Sequence, residues 1–217
     1  MFTGIIEALG TVSHIEHGAE KARLLIETPE SFRGFELGES IACNGVCLTV
    51  AEIIETGFAV DLSTETLSRT SFKQSVEGAR INLEKALTPN KKMSGHFVSG
   101  HVDQVGTVAG IDENPGEVRI RFEHPPELAP FVIEKGSAAV DGISLTVFDC
   151  RDNGFSVSII PFTWEHTNLN ERKIGDGVNI ECDMIGKYVL KACESLFGGP
   201  IRGGNLTQEF LKQHGFV

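Results

Sequence analysis

The chain has 217 residues and a formal net charge of −11, from 19 basic and 30 acidic residues. That charge opposes a phosphate backbone, and the sequence has no lysine and arginine cluster that could act as a local exception, so nucleic acid is not an expected partner. No stretch approaches the ~18 apolar residues that span a bilayer, and the N-terminus lacks a signal-peptide pattern, so we expect a cytoplasmic protein without a membrane partner.

An internal duplication dominates the sequence. Residues 4–35 match residues 100–131 at a constant offset of 96, and residues 40–84 match residues 137–181 at an offset of 97. So many matches in constant register exclude coincidence. We therefore expect two homologous domains.

Within each copy, short runs alternate apolar residues with polar or small ones, which is the period of a half-buried strand. These runs lie at residues 48–50, 58–63, 119–122 and 155–159, and turn-forming residues lie at 55–57, 114–116 and 152–154. The pattern predicts an all-β fold of two tandem small antiparallel Greek-key barrels. A two-sheet sandwich is the competing layout.

The remaining segments complete the predicted domain plan. Polar, turn-rich residues at 85–95 are suited to join the two copies. After the second copy, Ile185, Val189, Cys193 and Leu196 fall at three- and four-residue steps, which predicts a C-terminal amphipathic α-helix that ends at residues 198–200. Its apolar stripe could pack on its own barrel or contact another subunit, and we favour the subunit contact. A short second helix is expected after Asn205.

These elements divide the chain into an N-terminal barrel at residues 1–97, a C-terminal barrel at 98–186 and a helical segment at 187–217. The segment 187–217 is the expected oligomerisation element. Five scattered cysteines, an odd number, fit reduced thiols better than a disulfide framework.

Positions at which the two copies differ are the candidates for chemistry. The second copy carries acid–base or polar groups where the first is mostly neutral or apolar. The pairs are His101 with Ile5, Lys135 with Gly38, Asp141 with Asn44, Ser144 with Cys47, and His166 with Arg69. We therefore expect the reactive groups mainly in the second copy.

Alternation also predicts the direction of the side chains. If Leu48 and Val50 enter the barrel core, Cys47 faces outward, and Ser144 does so in the second copy. A site at these residues lies on the outer wall of a barrel. It would be shallow unless another surface covered it.

Each candidate also has a purely structural interpretation. Cys47 could be a small buried apolar residue, and Asp141 could belong to a simple turn. His96 and His101 are five residues apart, and the pattern predicts no metal site. Ser144 with His101 could suggest a hydrolase, but the Gly-x-Ser-x-Gly motif is absent from the sequence.

Five motifs in order resemble those of riboflavin synthases of the alpha-chain type, over residues 1 to about 190. They are MFTGI at 1–5, NGVCLTV at 44–50, SGHFVSGHV at 94–102, DGISLTV at 141–147, and the run from Ile160 to Leu169. The resemblance implies two lumazine-binding barrels per chain and a homotrimer assembled through the C-terminal helices. The first barrel of one chain would meet the second barrel of a neighbour.

The resemblance also implies the reaction. Two molecules of 6,7-dimethyl-8-ribityllumazine would give riboflavin and 5-amino-6-(D-ribitylamino)uracil by transfer of a four-carbon unit, as the last step of riboflavin biosynthesis. It implies no metal and no organic cofactor. Two copies of one binding surface would hold two molecules of the same substrate face to face.

Substrate-binding residues follow from the resemblance as two walls. The first-copy wall is Gly4, Ile5, Ile6, Cys47, Leu48, Thr49, Asp61, Leu62, Ser63, Thr64, Glu65 and Thr66. The second-copy wall is Gly100, His101, Val102, Lys135, Ser144, Leu145, Thr146, Ile159, Ile160, Pro161, Phe162, Thr163 and Trp164.

Chemical roles are assigned as hypotheses. His101 or an ordered water would remove a proton from the carbon-7 methyl of one lumazine. Ser144, aided by Asp141, or Cys47 would add to carbon 7 of the other or position a hydroxide, and Lys135 would balance developing negative charge.

Phe162 departs from the family pattern, which usually has a polar residue there. Two other functions remain open: a non-catalytic lumazine or flavin carrier of the same fold, and a barrel module for protein assembly. Turnover of lumazine separates the enzyme from both.

Overall fold

The computed structural model describes residues 1–18 and 21–197, together with Lys212. Residues 1–184 form one compact unit that contains both repeats, and residues 185–217 form a second unit. The short helix expected after Asn205 lies outside the described residues.

The first repeat is a closed antiparallel barrel. Its strands are β1 (Ala8–His17), β2 (Lys21–Glu27), β3 (Ser40–Cys43), β4 (Val46–Ile54), β5 (Gly57–Ser63) and β6 (Arg80–Lys85). They pair in the order β1-β2-β5-β4-β3-β6, and β6 returns to β1 to close the barrel.

The second repeat has the same architecture. Its strands are β7 (Gln104–Asn114), β8 (Glu117–Glu123), β9 (Ser137–Val140), β10 (Ile143–Arg151), β11 (Gly154–Ile159) and β12 (Gly177–Cys182). Read from β7, the order β7-β8-β11-β10-β9-β12 matches the first barrel. The predicted pair of Greek-key barrels is confirmed, and the sandwich alternative is wrong because each sheet closes on itself.

Alternating side chains explain why these segments form strands. In β8, Val118, Ile120 and Phe122 point into the core while Arg119 and Arg121 face solvent. Facing aromatic rings fill the interior, and the ring centroids of Phe122 and Phe155 lie 5.6 Å apart. The barrel interior is therefore filled with side chains, which leaves the outer walls for function.

Each barrel carries a short helix after its fifth strand, α1 (Thr64–Arg69) and α2 (Pro161–His166). The Ser63 side chain caps α1 by accepting a hydrogen bond from the backbone N–H of Thr66 at 3.1 Å. In α2, Pro161 occupies the first turn, where no intrahelical N–H donor is needed.

The two barrels are joined by matching polar contacts. Asn82 on β6 donates from Nδ2 to the carbonyl of Asp141, and its Oδ1 accepts from the backbone N–H of Asn168, at 3.0 and 2.8 Å. Asn179 on β12 makes the corresponding contacts to the carbonyl of Asn44 and the N–H of Ser71, at 2.8 and 2.7 Å. Each asparagine thus binds backbone groups of the other barrel.

Replacing Asn82 with alanine should lower the free energy of unfolding by about 2 kcal/mol, because buried backbone groups lose their partners. Urea unfolding followed by circular dichroism would measure the change. Asn170→Ala is the matched control: this side chain is exposed, and we expect a change within about 0.5 kcal/mol. Equal effects of the two substitutions would contradict the interpretation.

The second unit is described by itself through α3 (Met184–Phe197). The predicted amphipathic helix is confirmed over this range. Its apolar residues are largely exposed in the single chain: Tyr188 is 72% and Leu196 is 80% accessible. None of the helices in the described ranges combines the length and the apolar character that crossing a bilayer requires.

Candidate active site on the outer barrel walls

The outer faces of β4 and β10 carry the predicted site residues in the predicted direction. Leu48 and Val50 are buried, Cys47 is partly exposed and Thr49 is exposed. In β10, Leu145 is likewise buried, Ser144 is partly exposed and Thr146 is exposed. We call the first surface the Cys47 wall and the second the Ser144 wall.

The N-terminal segments of the two copies are exchanged between these walls. The backbone N–H of Ser144 donates to the carbonyl of Gly4, and that of Cys47 donates to the carbonyl of Gly100, both at 2.8 Å. A two-residue bridge between Phe2 and Val98 lies between the barrels.

The family resemblance placed Gly4, Ile5 and Ile6 on one wall with Cys47, and Gly100, His101 and Val102 on the other with Ser144. This grouping is wrong because each segment crosses at the Phe2–Val98 bridge to the other barrel. The approach is so close that a Cβ on Gly4 would lie 2.6 Å from the Ser144 Cβ, which explains glycine there.

A histidine contacts the candidate nucleophile. The Nδ1 atom of His96 lies 2.7 Å from Ser144 Oγ. Burial lowers the pKa of His96 below its usual value, and the negative charge of Asp183 opposes this shift. A neutral imidazole hydrogen-bonded to a hydroxyl is suited to accept the hydroxyl proton.

His101, the base expected from the sequence, is exposed and follows Gly100, which lies against Cys47. The structure therefore associates His101 with the Cys47 wall and gives Ser144 a different histidine. His96 stands in the linker and has no partner in the repeat, so comparison of the two copies could not reveal it. Its place within SGHFVSGHV was the available signal.

Asp141 does not belong to the exposed wall. It is fully buried in the turn between β9 and β10, where it forms an ion pair with Arg172 at 2.5 Å and accepts from the N–H of Asn179 at 2.8 Å. The proposed assistance of Asp141 to Ser144 is wrong, because its carboxylate is engaged inside the protein. The turn interpretation holds instead.

Lys135 lies in the loop before β9. It is exposed, and its Nζ is 5.4 Å from the centroid of the Phe148 ring. Its backbone N–H donates to the carbonyl of Val147, which anchors the loop to β10. The ammonium group therefore lies beside Phe148, a residue of the strand that carries Ser144.

The strand ends beside each wall differ in polarity. In the first barrel, Asp61 pairs with Lys21 and Arg23 at 3.0 and 3.6 Å. In the second barrel, Phe162 is 67% exposed and stacks on His166 with 4.1 Å between ring centroids. The exposed members of the two edges are Asp61, Ser63, Thr64 and Glu65 in the first, and Ile160, Pro161 and Phe162 in the second.

The other members of these edges are less accessible. Thr66, Thr163 and Trp164 are partly exposed, and Leu62 and Ile159 are buried.

In the part of the chain that the structure describes, no group of three His, Cys, Asp or Glu residues could hold a metal ion. All five cysteines are free thiols.

Comparison with known proteins agrees with both repeats. The Lumazine binding domain family matches residues 3–86 and 99–183. The chain is 43% identical to riboflavin synthase of Actinobacillus pleuropneumoniae over 218 residues and 38% identical to riboflavin synthase of Bacillus subtilis (strain 168) over 216 residues. Each alignment covers 100% of both chains. The chain belongs to the riboflavin synthase family.

Solved structures share the fold of this riboflavin synthase family member. One is LumP complexed with 6,7-dimethyl-8-(1'-D-ribityl) lumazine, with a TM-score of 0.77, and another is LumP complexed with riboflavin, with a TM-score of 0.79. Each is 23% identical in sequence, and each match covers 84% of this chain and 99% of the other. At this identity the likeness establishes the fold alone.

Proposed function

We propose that this chain converts two molecules of 6,7-dimethyl-8-ribityllumazine into riboflavin and 5-amino-6-(D-ribitylamino)uracil. The observation that carries the proposal is the 2.7 Å contact of His96 with Ser144 on one of two matching walls. Full-length similarity to riboflavin synthases supports the same reaction. The repeat supplies one wall for each of the two substrates.

Strand β10 and its neighbours bind the lumazine that is attacked. His96 accepts the proton of Ser144 Oγ, so that the hydroxyl, or a water that it orients, adds to carbon 7 of the ring. Lys135 balances the negative charge that this addition places on the ring. Burial lowers the pKa of His96 and so favours the neutral form, which is the form that accepts a proton.

The Cys47 wall binds the second lumazine. Removal of a proton from its carbon-7 methyl gives an anion delocalised into the ring, and His101, carried by the segment that crosses to this wall, is the base. Cys47 lies against Gly100, the residue before that base. Asp61 and the hydroxyls of Ser63, Thr64 and Thr66 bind the ribityl chain. Holding two reactants in contact in the right orientation can contribute about 7 kcal/mol to a bimolecular step.

A turnover assay tests this function. Purified protein incubated with the lumazine should form one riboflavin for every two lumazines consumed, followed by absorbance and by chromatography of both products. Binding without turnover would instead identify a carrier of the same fold. A protein that neither binds nor converts lumazine would favour the third alternative, a barrel module for protein assembly.

We also propose a homotrimer in which α3 forms the contacts and the Ser144 wall of one subunit faces the Cys47 wall of the next. The exposed apolar residues of α3 support it: Val189 is 57% and Tyr188 is 72% accessible. Apolar surface of this kind on one helix face indicates a protein interface. The reacting pair would then lie across a subunit boundary, where the neighbour excludes water.

Replacing Val189 with aspartate should dissociate the trimer, because a charge would be buried in an apolar contact. Light scattering coupled to size exclusion would show a mass near that of one chain. Lys191→Asp, on an exposed position of the same helix, is the control and should keep the trimer mass. A chain that ends at Ile185 and still assembles as the intact protein would exclude α3 as the assembly element.

The division into barrels at 1–97 and 98–186 and a helical segment at 187–217 belongs to the same proposal. So do a cytoplasmic location, a reaction without metal or organic cofactor, and the absence of nucleic-acid and membrane partners. The acidic charge of −11 supports the exclusion of nucleic acid.

A further inference from the structure

Two buried glutamates occupy matching positions, each near the C-terminal end of the last strand of its barrel. Glu84 on β6 is 1% exposed and Glu181 on β12 is 3% exposed. A buried carboxylate is costly unless it is hydrogen-bonded, so the partners of these groups identify what they hold. In both cases the partners include the segment that crosses to the other barrel.

The carboxylate of Glu84 binds the first crossing segment at three points. Its Oε1 accepts from the backbone N–H and the hydroxyl of Thr3, at 2.8 and 2.6 Å, and its Oε2 accepts from the N–H of Gly4 at 2.9 Å. Lys91 Nζ lies 3.3 Å from Oε1 and offsets the buried charge. The segment from Thr3 to Gly4 is thus fixed from the first barrel.

Glu181 repeats this arrangement for the second crossing segment. Its Oε1 accepts from the N–H and the hydroxyl of Ser99, at 2.6 and 2.7 Å, and its Oε2 accepts from the N–H of Gly100 at 2.9 Å. The same three contacts are therefore made in both copies, by residues at matching places in the repeat.

Each clamped segment is bonded directly to a wall of the other barrel. The carbonyl of Gly4 accepts from the N–H of Ser144, and the carbonyl of Thr3 accepts from the N–H of His96 at 3.1 Å. Glu84 is therefore connected to Ser144 through one residue, Gly4, and to His96 through one residue, Thr3. Across the junction, the carbonyl of Gly100 accepts from the N–H of Cys47 at 2.8 Å, which links Glu181 to the Cys47 wall.

We infer that Glu84 and Glu181 are positioning residues that act crosswise. Glu84, on the first barrel, fixes the Ser144 wall of the second, and Glu181, on the second barrel, fixes the Cys47 wall of the first. Hydrogen bonds to a charged group are stronger than neutral ones and hold the segment with little freedom. The inference rests on the proposed function, because it requires that each wall bind one lumazine.

A merely structural role predicts something different. If each glutamate only stabilised the barrel that carries it, its loss would weaken that barrel's own wall or both walls together. The crosswise role predicts that the wall of the opposite barrel is weakened. The test must therefore measure each wall separately.

Replacing the exposed threonine of one wall with tryptophan blocks that wall and leaves the other wall open. Thr49→Trp closes the Cys47 wall and Thr146→Trp closes the Ser144 wall. Such full-length chains cannot hold two substrates in contact, so binding of 6,7-dimethyl-8-ribityllumazine can be titrated by fluorescence without turnover. Glu84→Gln and Glu181→Gln are then added singly to each background.

With only the Ser144 wall open, Glu84→Gln should raise the lumazine Kd about ten-fold or more, and Glu181→Gln should change it less than about two-fold. With only the Cys47 wall open, the two effects should be reversed. Weakening of each glutamate's own barrel, or equal weakening of both walls, would overturn the inference. If the unsubstituted protein neither binds nor converts lumazine, the proposed function fails instead.

A milder pair of variants covers the case in which a buried glutamine prevents folding. Thr3→Ser keeps the hydroxyl that Glu84 binds, as Ser99 does at the matching position, whereas Thr3→Val removes it. In the chain with only the Ser144 wall open, the valine variant should bind lumazine several-fold more weakly than the serine variant. Equal affinity would count against positioning by Glu84.

Discussion

Replacing His96 with glutamine should lower kcat for riboflavin formation about 100-fold. The imidazole Nδ1 lies 2.7 Å from Ser144 Oγ, and general base catalysis of this kind contributes ~100-fold or more. Glutamine can still hydrogen-bond the hydroxyl, but it cannot take its proton. Steady-state turnover with saturating lumazine measures the change.

Ser144→Ala should reduce kcat by a similar factor, and the double variant should be little worse than either single one. When two residues act as a unit, replacing either one removes their joint contribution to kcat, and replacing the second then adds little. Additive losses in the double variant would show that His96 and Ser144 work independently. A His96→Gln enzyme within about two-fold of the original kcat would remove His96 from the mechanism.

The pH dependence of kcat gives a second measurement of the same group. Burial lowers the pKa of His96, and the base is active when unprotonated. Activity should therefore fall as the pH drops through this lowered pKa. His96→Gln should change this acid limb, because the group that titrates there is removed.

The fold was predictable from the sequence because two local signals agreed with the duplication. Alternation as in Val118, Ile120 and Phe122 marks the inward face of a strand, and turn residues separate the strands at matching places in both copies. A closed barrel was the favoured prediction and a two-sheet sandwich was the alternative. The structure decides for the barrel, because the strands of each sheet pair in a closed order.

The exchange of the crossing segments was not predictable in this way. Gly4 and Gly100 occupy the same position in two nearly identical copies, so contact within a barrel and contact across the junction satisfy the same sequence pattern. The choice is made by tertiary packing, in which Phe2 pairs with Val98 between the barrels. A segment of a few residues has no periodicity that could reveal this.

Comparison of the copies identified Ser144 and Cys47 correctly as outward-facing positions but misjudged their neighbours. His96 was missed because it has no counterpart. Asp141 was overvalued because its charge differs from Asn44, although the difference is balanced inside the protein by Arg172. A residue that differs between the two copies can therefore reflect a pair of compensating changes in the protein interior as well as a new reactive group.

Replacing Asp141 with alanine should lower the free energy of unfolding by about 4 kcal/mol, because it leaves the Arg172 guanidinium without its buried partner and the Asn179 N–H without an acceptor. Urea unfolding at one fixed protein concentration measures the change, since assembly affects apparent stability. Turnover of the folded fraction should fall far less than for His96→Gln. A large loss of kcat without loss of stability would return Asp141 to the active site.

The first barrel supplies the control for this ion pair. Asn44 and Ser75 stand there in place of Asp141 and Arg172, at the offset of 97. The double variant Asp141→Asn with Arg172→Ser copies that neutral pair, so no unpaired guanidinium remains. It should be more stable than Asp141→Asn alone, because breaking one member of a buried ion pair costs more than replacing both. If the double variant is instead the less stable of the two, Arg172 must stabilise the second barrel through contacts other than Asp141.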